Sequence, residues 1–560
     1  MGEIKQLVIL EYSTLFPGED IPNVDDIIMS LSRNSIVNLV LVLTDLYSNA
    51  SLECIDLFFH NKNSLSEIRR RIKKYCIPSI NYIFLPLQTA IKILRKAMSL
   101  SPITEDNISQ ESELDFFKMI LLINENEMKF CNASSVSRII FMQELITYSS
   151  HASEDVYGVR SLLQLYMSYN FFMFLESMVE SDDQLKDIYD HFLQQYGIKC
   201  GMDYILILFG VIALSKYKTG KLPKEVTSKL PLKYSQELID ALTIDLYGQT
   251  NEISTNRQRD NNIDYRNFRD KPFIKDKDGN YVVYWIEALI DRIYNSIYFD
   301  LLDIKRRFNI AYNKLPQLFT DQFVEKYFLH KLMKYANKEN IYTAIYNTQD
   351  RENGKADYVL KHDKNIILFE CKDVKISGEV IETHDAEQII DEYKNKLFEE
   401  TYIIRDGQKC YHREAKPKGI GQLVKYIKQV RNGDSYYEGM PDSIIYPVLI
   451  LSDYKLLHRG FQQIADEWYE IGMANSKSQY DMPLIVMSFI TLIKSYPLFS
   501  KYGFEKYFDD YRKYISSMTE HYKYITFDEY MQNDTEYMDI SELRDEFHSA
   551  ILINISPDEI

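Results

Sequence analysis

Three side chains in the second half of this chain have the types and spacing to do chemistry together. Residues 356–372 read ADYVLKHDKNIILFECK, which places Asp357 thirteen positions before Glu370 and sets Lys372 two positions after it. Two carboxylates and an amine gathered on paired strands can hold a divalent cation and activate water against a phosphodiester. A hard cation such as Mg²⁺ prefers carboxylate oxygens and keeps several of its waters. Asp357, Glu370 and the main-chain carbonyl of Cys371 would form its protein ligands, with Mn²⁺ as a substitute ion.

The elements that must position these groups are short and apolar. Residues 365–372 carry Ile366, Ile367, Leu368 and Phe369 in series, the pattern of a strand buried on both faces. Alternation puts Ile366, Leu368, Glu370 and Lys372 on one face and Ile367, Phe369 and Cys371 on the other. Residues 357–362 also read as extended, and residues 362–365, HDKN, read as a hairpin turn. Antiparallel pairing across that turn brings Asp357 beside Glu370 and Lys372. Upstream, residues 318–336 read as an amphipathic helix with Leu318, Phe328 and Leu332 on one stripe. Glu325 falls on the same stripe, where a carboxylate is costly without a partner. Downstream, Gly419-Ile420-Gly421 precedes QLVKYIKQV, a helix on which Gln422 and Tyr426 lie one turn apart.

The pattern D-x(12)-E-x-K resembles the PD-(D/E)XK motif of restriction-endonuclease-like nucleases. It departs from it at Ala356, where the motif is named for proline, a position that is permissive in the superfamily. The Gln422/Tyr426 spacing resembles the Q-x-x-x-Y element of the RecB-like branch. The resemblance covers roughly residues 310–495. It implies that Asp357 and Glu370 hold the metal, that Lys372 orients water and neutralises charge, and that Gln422 and Tyr426 lie near the metal and the substrate. It also implies that Glu325 supplies an extra acid to the metal site. Strand candidates at residues 342–346, 446–451 (YPVLIL) and 483–489, with a helix at 456–473, complete the order helix, three strands, helix, strand, helix, strand expected of such a core.

Composition narrows the surroundings. The chain has 560 residues and a net charge of −17, which argues against nonspecific coating of nucleic acid. Its six cysteines form no C-x-x-C pair and its ten histidines no H-E-x-x-H cluster, so neither a disulfide framework nor a zinc site is expected. The longest convincing apolar run, residues 204–214, is interrupted by Gly210, and the start lacks a secretory layout, so a cytoplasmic protein without a membrane partner is expected. Residues 405–431 are rich in basic side chains, and Arg413, Lys416, Lys418, Lys425 and Lys428 are the candidate nucleic-acid contacts. Residues 373–400 are mostly acidic and read as an exposed insertion. The run at Arg69, Arg70 and Arg71 reads as a solvated helix face.

The expected fold class is α+β and multidomain. A mainly helical sensing or docking domain spans residues 1–250, with a strand near residues 6–12, and a polar linker covers residues 249–264. A hairpin with a helix at residues 285–302 extends the core over residues 265–309. The nuclease domain, a mixed central sheet flanked by helices, spans residues 310–497, and a helical tail spans residues 498–560. The function expected is a Mg²⁺-dependent DNA endonuclease acting as a prokaryotic antiviral or restriction-type effector. Its N-terminal half would meet a protein activator or a second copy of the chain. The alternatives are a RecB-like repair exonuclease and a nuclease-fold binding module without catalysis.

Overall fold

The computed structural model describes residues 7–33, 35–36, 49–100, 112–127, 133–147, 161–217, 221–222, 235–245, 269–275, 281–284, 286–345, 356–381, 383, 385–406, 410–433, 441–474, 476–519, 522–532, 542 and 545–546. The chain is α+β with mixed sheets. A first sheet is built from β1 (Leu7–Ile9), β2 (Asn49–Ser51) and β3 (Asn81–Pro86), with β3 in the centre, parallel to β1 and antiparallel to β2. The expected strand near residue 6 is therefore present. β3, NYIFLP, is a continuous buried run and was not anticipated, because a short apolar run has no period to separate it from helix. The Arg69–Arg71 run lies on the helix Lys62–Tyr75, where Arg69 and Arg70 pair with Asp56 and Glu67 at exposed positions.

Helices Ser161–Val179, Asp183–Tyr196 and Gly201–Tyr217 follow. By length and composition the stretch Asp183–Ile212 could cross a membrane, but 56% of its most apolar window is buried inside the protein. Gly197 also breaks it, at φ +61°, a left-handed helix end that suits glycine. A small sheet orders β4 (Lys221–Leu222), β5 (Thr243–Asp245), β6 (Phe273–Lys275) and β7 (Tyr281–Val283) as β4-β7-β6-β5. The β6–β7 hairpin was expected; its D-G turn and the 249–264 linker lie outside the described residues. The helix expected at residues 285–302 is instead two, Ile286–Ile293 and Ile297–Arg307. Asn295 and Ser296 sit at the break, where the Ser296 N–H donates to the Asp291 carbonyl five residues back and closes the first helix.

The central sheet is ordered β14-β13-β10-β9-β8. β8 (Thr343–Ile345), β9 (Tyr358–His362) and β10 (Asn365–Lys372) form an antiparallel meander. A two-stranded ribbon, β11 (Glu399–Asp406) and β12 (Cys410–Pro417), stands in the crossover that leads to β13 (Ile444–Leu451) and then β14 (Ile485–Ser488), both parallel to β10. Ile366 and Leu368 enter a core shared with helices Ala386–Leu397, Gly419–Arg431 and Phe461–Met473. Ile367, Phe369 and Cys371 enter the core on the opposite face. Two expectations change here. The acidic stretch 373–400 is not an exposed insertion: Ala386, Ile389, Ile390, Tyr393 and Leu397 make a buried stripe at helical spacing, and the acids occupy the other side of that helix. The helix expected from residue 456 begins at Phe461, because Gly460 sits at φ +84° before it.

The large core on the Cys371 face runs without a break at residue 250. It joins Leu163, Phe171 and Phe172 to Phe319, Phe323, Phe328 and Phe369, and it includes Phe499, Phe504 and Phe527 from beyond residue 498. Phe171 lies 4.3 Å from Phe319 and 5.2 Å from Phe323, ring centre to ring centre. Replacing it leaves a cavity under the helix that carries Glu325. We expect Phe171→Ala to lower the unfolding free energy by about 3–5 kcal/mol in urea denaturation. A loss below about 1 kcal/mol would contradict a shared core.

Candidate active site

β9 begins immediately after Asp357, and β10 ends in Glu370-Cys371-Lys372. The turn between them is tight, with Asp363 at φ +51°, a conformation that Asp tolerates. The register pairs Asn365 with His362 and Phe369 with Tyr358, so one further step sets Asp357 across from Glu370. A hydrogen bond holds it there: the Cys371 N–H donates to Asp357 Oδ2 at 2.8 Å. The Lys372 ammonium lies 2.6 Å from Glu370 Oε1 and 3.5 Å from Glu325 Oε1. On its other edge β10 is fixed by β13, and the Ser452 N–H donates to the Lys372 carbonyl at 3.1 Å. The Cys371 thiol faces the opposite core, and burial pushes its pKa well up. Its main chain faces Asp357, so its carbonyl lies on the same edge.

Glu325 reaches this cluster because its helix is wound unusually. Residues Leu318–Phe328 form a π-helix that continues as the α-helix Leu329–Ala336. Apolar pairs recur every five residues, Leu318-Phe319, Phe323-Val324 and Phe328-Leu329, and all are buried. That interval suits i→i+5 winding, and such bulges occur often at functional sites. The expected stripe of Leu318, Phe328 and Leu332 is buried, with Glu325 at its margin, its side chain 19% exposed.

The electrostatics are unbalanced. Glu325, Asp357 and Glu370 are three carboxylates against one ammonium. Glu370 has no exposed surface, and neither of its oxygens makes a well-directed hydrogen bond although Oε1 touches Lys372. Burial, then Asp357, pushes the Glu325 carboxyl up to about 8. Burial also raises Asp357, and burial with Asp357 raises Glu370 well above the carboxylate range. For Lys372 burial pulls downward, but Glu370, Asp357 and Glu325 outweigh it and hold the amine protonated. Two neighbours escaped the sequence reading. Asp321, four residues before Glu325, adds negative charge felt by Glu325 and Asp357. His330 bonds the Asp357 backbone. Their only sequence signal is helical spacing from Glu325.

Gln422 and Tyr426 come together on the helix Gly419–Arg431. Gln422 Oε1 accepts the Gly419 N–H at 2.9 Å, and its Nε2 donates to the Tyr426 hydroxyl at 3.2 Å. Tyr426 is buried on a helix packed against β10, and burial followed by the charge of Glu370 raises its pKa. Two glycines let the helix approach. A Cβ on Gly419 would meet the Leu397 carbonyl oxygen at 2.7 Å, and one on Gly421 the Phe398 carbonyl oxygen at 2.3 Å.

The proposed basic surface does not hold together as a set. Lys428 donates to the Gly472 carbonyl at 2.9 Å and ties two helices, so it is a structural residue. Lys418 pairs with Glu400 at 2.8 Å. Arg431 is bound to the buried Asp481. Lys416 and Lys425 are exposed, and the Arg413 side chain lies outside the described residues.

Among the described residues, no three His, Cys, Asp or Glu side chains stand close enough to ligate an ion, and Lys372 lies against both Glu370 and Glu325. The donor set nevertheless fits a hard divalent cation: the carboxylates outnumber the ammonium by two charges, and the Glu370 oxygens are buried without hydrogen bonds. In comparisons with family models, curated proteins and solved structures, nothing matches this chain.

The raised carboxyls give the cluster a definite pH response. A carboxyl raised on folding binds its proton more tightly in the folded chain, so its stabilisation is full below the ordinary carboxyl range and is lost as pH rises to about 8. In metal-free protein we expect the melting temperature of wild type to fall relative to that of Glu325→Gln as pH rises from about 4.5 to about 8, and Mg²⁺ to restore more at the higher pH. Parallel melting curves, with no effect of Mg²⁺, would contradict this.

Proposed function

We propose that this chain is a divalent-cation-dependent nuclease of the restriction-endonuclease-like PD-(D/E)XK superfamily, cutting DNA internally as a prokaryotic antiviral or restriction-type effector. One observation carries the reading: Asp357, Glu370 and Lys372 meet at one end of the β9–β10 hairpin, with Glu325 reaching in from the preceding helix. The order of elements supports it, since a helix, the β8–β9–β10 meander, a helical crossover to β13 and a second crossover to β14 make a mixed sheet covered on both faces.

Asp357 and Glu370 would hold Mg²⁺ or Mn²⁺, with Glu325 and the Cys371 carbonyl beside them, and the ion would supply Lewis acidity and a bound water of lowered pKa. Lys372, kept protonated by its carboxylate neighbours, is a donor rather than a base. It orients the attacking water and offsets negative charge that develops on the phosphate oxygens. Gln422 holds the Tyr426 hydroxyl on the helix packed against β10, from which it would position a carboxylate or a phosphate oxygen. The Gln422–Tyr426 contact supports a second reading, a RecB-like exonuclease. The shared core supports a role for the N-terminal half as the receiver of a trigger, because the Ser161–Val179 helix packs against the helix bearing Glu325.

The test is a cleavage assay on closed circular, linear and single-stranded DNA and on RNA, with Mg²⁺ or EDTA. Wild type should cut with Mg²⁺ alone, and Asp357→Ala and Lys372→Ala should each lose about 10²-fold or more. Cleavage of closed circles selects the endonuclease, and digestion confined to linear DNA selects the exonuclease. Cleavage that survives both substitutions removes the assignment.

A further inference from the structure

The helix that delivers Glu325 continues into a strongly basic row. Residues 326–338, KYFLHKLMKYANK, hold four lysines and a histidine and no acidic residue, in a chain whose net charge is −17. The row starts at the carboxylate cluster: Lys326 follows Glu325, its charge acts on Asp357, and His330 bonds the Asp357 backbone. It then runs outward through Lys331, Lys334 and Lys338. Lys334 is exposed, and the Lys338 side chain is 57% exposed.

Part of this row is covered by the chain's own C-terminal region. Glu546 accepts hydrogen bonds from Tyr166 and Tyr335, each 3.0 Å long, and pairs with Lys331. Lys331 is steadied from behind by Asn170 Oδ1 at 2.7 Å. One helical turn away, Glu542 pairs with Lys338. Two carboxylates four residues apart therefore sit on a stripe formed by Lys331, Tyr335 and Lys338. Residues 534–546 as a whole contain six acids and one arginine, the charge opposite to that of the row. Two carboxylates seated on cationic and hydroxyl donors of the helix that continues from Glu325 occupy the kind of surface that binds a nucleic-acid backbone.

We propose that the basic row of residues 326–338 carries the phosphate backbone of DNA leading away from the catalytic carboxylates, and that Glu542 and Glu546, seated on Lys338 and Lys331, are built-in competitors for it. The inference rests on the nuclease reading and adds to it a substrate track and a means of holding the enzyme in check. DNA must displace these two carboxylates, so its apparent affinity is reduced by the fraction of chains in the docked state.

The experiment is equilibrium binding of the full chain to a fluorescein-labelled duplex DNA in EDTA, across a series of salt concentrations, so that cleavage plays no part. Glu546→Gln and Glu542→Lys should each tighten binding, by about tenfold in combination, and Lys334→Gln with Lys338→Gln should weaken it by about the same factor and flatten the salt dependence. Should Glu546→Gln disturb the Tyr166–Tyr335 contact and fail to fold, Glu542→Lys carries the test alone, since that pair is on the surface. Binding unchanged by the acidic substitutions overturns the competitor, and binding unchanged by the lysine substitutions overturns the track. A chain that shows this binding pattern yet cuts nothing with Mg²⁺ upholds this inference and removes the nuclease reading. A chain that cuts DNA but binds it identically in all variants does the reverse.

Discussion

Three carboxylates, one fully buried and two partly so, around a single ammonium are the constraint on which the rest of this structure depends. An unpaired buried charge is expensive, and a fold does not gather Glu325, Asp357 and Glu370 in one place for stability. The molecule lowers the cost in three ways. The Cys371 N–H binds Asp357, the Lys372 ammonium serves Glu370 and Glu325 together, and the raised carboxyl pKa values let protons stand in for missing positive charge. A divalent cation would supply that charge directly, and a cluster of perturbed carboxyls is more characteristic of a site than of a core.

The scaffold around the cluster is rigid where precision matters. β10 is the middle strand, bonded to β9 on one edge and to β13 on the other and buried on both faces. Glu370 and Lys372 therefore inherit their positions from the most constrained strand of the sheet. The Glu325 helix packs against Phe171 and its neighbours in the core on that face of the sheet, so residues far upstream in sequence set the reach of this carboxylate. Gly419 and Gly421 bring the Gln422–Tyr426 helix close on the other side.

The hairpin was the most legible part of the sequence. Two short apolar runs joined by the tight turn His362-Asp363-Lys364-Asn365 leave one register, and that register places Asp357 beside Glu370. β13 and β14 were legible as short apolar runs, and Gln422 and Tyr426 as neighbours on a helix. The π-winding was hidden because doublets five apart also satisfy part of a 3.6-residue pattern, so a helix was visible but its pitch was not. The stripe of Ala386, Ile389, Ile390, Tyr393 and Leu397 was masked by the acids between its members. Lys428 looked available because a local reading of charge has no access to the Gly472 carbonyl, which is forty-four residues away in sequence. The shared core that crosses residue 250 is a tertiary fact that composition cannot carry.

The most direct test of the central claim is a crystal of the wild-type chain grown or soaked with Mn²⁺ and measured for anomalous scattering. The account predicts a single strong peak, or a close pair, within liganding distance of the Asp357 and Glu370 carboxylates and the Cys371 carbonyl, lost in crystals of Asp357→Ala. A well-ordered map with no peak at these groups, and Lys372 still joined to Glu370 and Glu325, would contradict it.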